Sequence, residues 1–207
     1  MSFIDEIDRQ RIEAAIAGAE QQTAAELVTV ISRDCGEYLH LPTLLAGAMT
    51  LLLSGMALLL PWPWEITVAE FYIGQVAGFI LLYLLFGWRP LRHRLVPRAI
   101  QHRAASTRAH QIFLDLGLAA TRDRTGVMFF VAANEHYVEI IADRGVREVV
   151  PDAAWTEIVA RFGEAVRQRR IADGFVEAIA ACTKVLAERL PRRPDDRNEL
   201  PNRLVEL

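Results

Sequence analysis

The chain has 207 residues, 23 of them basic and 26 acidic, for a net charge of −3. That length suits one domain with an appendage, and a hydrophobic fraction of 52% excludes general disorder. An isoelectric point near 6.0 excludes the basic balance of a general nucleic-acid binder, and two cysteines, Cys35 and Cys182, cannot build a disulfide framework.

The first 22 residues hold a predicted helix from Ser2 to Gln22. Ser2 and Asp5 stand at capping-box spacing with the shorter acid, acids crowd the first turns, and Ile12, Ala15, Ile16 and Ala19 form one apolar stripe. The opening residues lack the basic and apolar regions of a signal peptide. Ala25–Ser32 is β-branched and mostly apolar, which predicts a buried strand.

The next stretch changes character. Leu41–Leu60 is uncharged and, at about 1.5 Å per residue, long enough to cross a hydrocarbon layer of about 30 Å. A second uncharged run covers Phe71–Trp88. A core helix of a soluble protein keeps a polar face, and neither run has one. Two transmembrane helices are therefore expected, at 41–60 and 71–88, within a hairpin spanning 38–88. Trp62, Trp64 and Tyr72 cluster at the shared end, with Tyr38 and Trp88 at the other ends, as in interfacial aromatic belts. The connector Pro61–Glu70 carries Glu65 and Glu70 but no Lys or Arg. After the second run come Arg89, Arg92, Arg94, Arg98, Arg103 and Arg108, with no acid before Asp115. The positive-inside rule puts that side, and both termini, in the cytoplasm. Arg89, Arg92, Arg94 and Arg98, beside a span, suit anionic lipid headgroups rather than nucleic acid. Gly74 and Gly78, four apart, permit close packing by the first span or a second copy. Two spans without a charge between their ends argue against a pump or transporter.

Beyond the hairpin, Pro97–Leu116 is a predicted helix that stops at Gly117. Gly126–Ala132 is a second buried strand, Asn134-Glu135-His136 a turn, and Tyr137–Ala142 a third strand in hairpin register. Ala153–Arg169 and Gly174–Leu190 are amphipathic helices, and the charged, proline-rich residues 191–207 read as a disordered tail. Helices alternating with buried strands predict an α/β sheet covered on both faces. A membrane hairpin returns the chain to its point of departure, so residues 1–37 and 89–190 read as two parts of one cytoplasmic domain.

Two stretches carry a resemblance to the TPM domain family. One runs from Ile12-Glu13-Ala14-Ala15-Ile16 through Glu20 and Thr23 to Glu26-Leu27-Val28. The other runs from Phe113 and Gly117-Leu118 through Arg124-Thr125-Gly126-Val127 to the more specific Glu135-His136-Tyr137-Val138-Glu139-Ile140-Ile141-Ala142-Asp143-Arg144-Gly145. The resemblance implies an α/β/α sandwich with a small mixed sheet, interrupted by the two-helix transmembrane hairpin, in a bacterial inner-membrane protein. Some TPM relatives carry a claimed acid phosphatase activity, some are reported to bind calcium through acids in comparable loops, and some bacterial members are associated with LemA-type membrane proteins. Many relatives have Asp-Asn where this chain has Arg124-Thr125.

Candidate chemistry gathers at the strand ends. Asp123 precedes the second strand, Asp143 follows the third, and Glu26 opens the first, an oxygen set that would suit Ca²⁺ or Mg²⁺. Glu135, His136 and Arg144 form a second candidate group, with His136 as a potential acid or base. The alternative is that these residues make turns, caps and surface ion pairs. No nucleophile motif, phosphate-binding loop or H-E-x-x-H is present. The sequence thus favours a non-catalytic interaction or assembly module at the membrane, with lipids and a LemA-type protein or a second copy as partners. The alternative is a metal-dependent phosphatase.

Overall fold

The computed structural model describes residues 4–33, 35, 40–59, 67–88, 96–193 and 198–207. The chain divides into two compact units, Met1–Cys35 with His102–Leu207, and Gly36–Gln101.

The first unit is built on a four-stranded sheet in the order β3-β2-β1-β4. The strands are β1 (Glu26–Ser32), β2 (Gly126–Ala132), β3 (Tyr137–Ala142) and β4 (Leu204–Glu206). β1 runs parallel to β2 and β4, while β2 and β3 form the antiparallel hairpin that their register predicts. Every residue of β1 and β2 is buried, as two-sided cover requires. On one face Leu27, Ile31, Val127, Phe129 and Val131 meet three helices. These are α1 (Glu6–Glu20), α6 (Asp152–Arg167) and α7 (Ile171–Arg189). On the other face Val28, Val30, Met128 and Phe130 pack on Ala105, Ala109, Ile112 and Phe113 of α4 (Arg98–Asp115). The result is an α/β/α sandwich.

Local chemistry explains the boundaries. Asp5, not Ser2, caps α1, its carboxylate accepting from the Asp8 N–H at 2.7 Å; Ser2 lies outside the described residues. Gly117 takes the left-handed conformation, φ 76°, that ends α4 and opens a short 3₁₀ turn, Leu118–Ala120. That turn leaves no room beside β2: a Cβ on Gly126 would stand 2.5 Å from the Leu118 carbonyl oxygen. Gly174 lies inside α7, which begins three residues earlier than the sequence predicts. A Cβ there would press on Ala165 and Phe162, so its small size lets α6 and α7 approach. Cys182 is fully buried in α7, and burial pushes its thiol pKa up, which keeps it protonated and inert.

Residues 198–207 depart from the disorder predicted for the tail 191–207. Residues 198–207 follow a defined course and end in β4, because Leu204 inserts into the core at 3% exposure and the backbone completes the edge of β1. Three apolar-to-acid residues are too few for periodicity to reveal a strand in a proline-rich segment.

The second unit contains α2 (His40–Leu59) and α3 (Val68–Gly87). Both are long and apolar enough to cross a membrane. α3 begins three residues before the predicted run and draws in Glu70, read from sequence as connector. The cause is a capping box: Glu70 N–H donates to the Thr67 hydroxyl at 3.3 Å, and Thr67 N–H to the Glu70 carboxylate at 2.9 Å. Tyr38, Trp62, Trp64 and Glu65 lie outside the described residues.

Because the Gly126 contact involves two backbones, Gly126→Ala should destabilise the domain by about 1–3 kcal/mol, as overpacking does. Chemical denaturation checks this; an unchanged midpoint would show that the Leu118 turn yields freely.

Candidate functional site

The end of the sheet where β1 and β2 start and β3 finishes is assembled by backbone bonds. Glu26 pairs with Gly126 in the parallel register, and the Asp143 N–H donates to the Gly126 carbonyl at 2.9 Å. Arg124 adopts φ 54°, a left-handed conformation that turns the chain into β2, and its carbonyl accepts from the Gly145 N–H at 3.0 Å. Gly145 is needed here, since a Cβ would run into the carbonyl oxygens of Asp123 and Arg124. The loops bearing Asp123 and Asp143 therefore touch, as the hairpin register leads one to expect.

Their side chains, however, take separate partners. Glu26 is buried, and its two carboxylate oxygens accept from the N–H groups of Glu199 and Leu200 at 3.1 and 3.2 Å. Asp123 is exposed and pairs with Arg193 at 3.1 Å. Asp143 caps α5 (Arg144–Arg147), its Oδ1 accepting from the Arg144 N–H at 2.7 Å, while its buried Oδ2 has no hydrogen-bond partner. As folded, the three do not form a shared oxygen set for Ca²⁺ or Mg²⁺. Among the described residues no group of three or more His, Cys, Asp or Glu side chains is placed to hold a metal ion. Beside Glu26 a polar cleft of about 240 Å³ is lined by Glu20, Thr23, Arg192, Asn198 and Asn202, among others.

The second candidate group is split by the sheet. Glu135 and His136 form the β2–β3 turn, whereas Arg144 follows the far end of β3, roughly 20 Å away at about 3.3 Å per residue. Glu135 is buried and accepts from the Cys35 N–H at 3.0 Å. His136 is exposed at φ 50°, and Arg144 bonds to Glu148 at 2.7 Å. A turn, a cap and an ion pair account for these positions.

One polar cluster went unread in the sequence. His102, Ser106 and His110 recur every fourth residue on α4 and face Tyr137 and Glu139, alternate residues of β3. The Ser106 hydroxyl donates to Glu139 at 3.3 Å, His110 Nδ1 lies 4.0 Å from the same carboxylate oxygen, and the His102 and Tyr137 rings are 5.2 Å apart. Burial is the main cause raising the Tyr137 pKa, with the Ser106 hydroxyl opposing it. The signal was present as matching periods of four and two on two elements that only the fold brings together.

In the second unit, Gly74 and Gly78 line a cavity of about 300 Å³ with Thr50, Ser54 and Gln75, and nothing lies within 4 Å of where their Cβ atoms would stand. Arg98 opens α4 and is exposed, whereas Arg89, Arg92 and Arg94 lie outside the described residues.

A small mixed sheet between helical layers, with conjoined loops at one end, defines an α/β/α sandwich domain. The family model of the TPM domain matches residues 94–185. The chain carries a TPM domain over these residues. Its fold is similar to the NMR structure of the BA42 protein from the psychrophilic bacterium Bizionia argentinensis, with a TM-score of 0.62 and 19% identity over 100% of this chain and 97% of that one. No curated protein matches the sequence.

A raised Tyr137 pKa means the folded state holds that proton more tightly. Its contribution to stability is complete below the ordinary value of 10.0 and is lost as pH rises above it. In an ultraviolet titration, Tyr137→Phe should remove a phase that ionises above the ordinary tyrosine value. Superimposable curves would refute the assignment.

Proposed function

We propose that the chain is an inner-membrane protein of a bacterium, anchored by α2 and α3, that presents its TPM domain in the cytoplasm as an interaction or assembly module. Two helices of spanning length support the anchor. The arginines from Arg89 to Arg108, without an acid among them, support a cytoplasmic face against anionic headgroups. The observation that carries the module reading is the state of the strand-end acids. Glu26 is held by backbone amides, Asp123 by a guanidinium and Asp143 by a helix start, so the acids act as structural ties. The partner is a membrane protein of LemA type or a second copy of the chain. Crosslinking in native membranes should recover such a partner reproducibly, and recovery of none would overturn the proposal.

A second reading, metal-dependent phosphate release, has one observation in its favour, the buried and unpartnered Asp143 Oδ2. Thermal-shift titration of the detergent-solubilised protein with Ca²⁺, Mg²⁺ and Mn²⁺ separates the two, because a ligand of the folded state raises the melting temperature. The module reading predicts no saturable shift. A shift lost in Asp123→Ala and Asp143→Ala would establish a metal site and favour the hydrolase.

A further inference from the structure

We propose that the outer edge of β1 is a docking groove for an extended peptide strand, and that β4 is its resident, displaceable occupant. This deepens the interaction-module reading and rests on it. β1 pairs with β2 over seven residues but with β4 over three. Where β4 stops short, the Leu27 N–H is held at 3.2 Å by the Glu20 carboxylate, a side chain standing where a strand could pair. The edge is thus longer than its occupant, and a strand edge offers ready-made main-chain bonds to another chain.

The occupant shows what the groove recognises. Leu204 enters the core cluster on the α1 face, while Val205 joins the cluster on the opposite face. Arg9 and Glu13, one turn apart on α1, frame it. The Leu204 N–H donates to Glu13 at 3.2 Å, and the Arg9 guanidinium donates to the Leu204 carbonyl at 3.4 Å and pairs with Glu206. Beyond, Leu207 N–H donates to the Ile31 carbonyl and Arg33 N–H to the Leu207 carbonyl, each at 3.0 Å, beside an open cleft of about 300 Å³. The groove therefore takes an extended strand with an apolar residue followed two places later by an acid. Leu204 is the one buried side chain of β4, and the segment joining the strand to α7 contains Pro191, Pro194 and Pro201. A partner that pairs along more of β1 gains register that β4 leaves unused, and it must outcompete a tethered strand whose effective concentration is on the order of millimolar.

The probe is a fluorescein-labelled peptide with the sequence of residues 201–207, followed by anisotropy with the full chain in detergent micelles. In Leu204→Asp a charge replaces the anchor and β4 leaves the groove. Saturable binding to this variant, at least ~10-fold tighter than to wild type and abolished when the peptide carries Glu206→Lys, is the expected result. No saturable binding to a folded Leu204→Asp protein, equal binding to both proteins, or indifference to the peptide's acid would overturn the proposal. Should the variant not melt cooperatively, a protease site placed between α7 and β4 in the otherwise wild-type chain decides the matter. Exchange of the cut segment for excess peptide supports the groove, and a segment that never exchanges from folded protein overturns it. Partners crosslinked despite failure of the peptide would sink the groove alone, leaving the module. Peptide exchange without any crosslinked partner would support the groove and overturn the module.

Discussion

The parallel register of Glu26–Ser32 with Gly126–Ala132 is the constraint on which the rest of the first unit depends. Parallel neighbours cannot be joined by a tight turn, so the chain must make a long crossover between them. Here that connection carries α2, α3 and α4, with α4 supplying the cover for one face of the sheet. Both strands are buried along their whole length, which leaves polar backbone satisfied by the ladder and side chains free to be apolar on both sides. An insertion in such a crossover leaves the ladder intact, provided its ends return to the same place.

The same register sets the chemistry at the sheet's end. Gly126 must lack a side chain to pass the Leu118 turn, and its carbonyl then receives the Asp143 N–H. Glu26 lies beside it, but the segment before β4 reaches the carboxylate first, with two amides. A buried carboxylate without such donors would be costly, so residues 198–200 are as much part of this corner as the strands are. The acids resemble a ligand set in sequence because they are close along the register. In the fold they behave as ties because each meets a different donor.

The two edges of the sheet are unlike. β3 carries Tyr137 and Glu139 against α4, in a network with Ser106, so that edge is joined to a helix by side chains. The β1 edge is covered by a three-residue strand, by the main chain of Leu207, and by Arg9 and Glu13 of α1. An edge covered by a short strand is where added pairing costs least, since little must be removed to expose it.

The sequence alone determined the elements with strong local signals: the apolar stripe of α1, the β-branched runs of β1 and β2, the β2–β3 hairpin, and two uncharged runs of spanning length. These are local properties, written in hydrophobic spacing and turn chemistry, and they suffice for an α/β class and a TPM resemblance. Only the tertiary structure decided that Leu204–Glu206 is a strand, because one buried leucine and a vacant edge, not propensity, put it there. It alone decided the fate of the acids: Glu26 meets amides 173 and 174 residues away, and Asp123 meets Arg193, pairings between exposed or irregular segments that leave no period in the sequence. It also separated Arg144 from His136, for a strand of six residues keeps apart what eight positions in sequence seem to join.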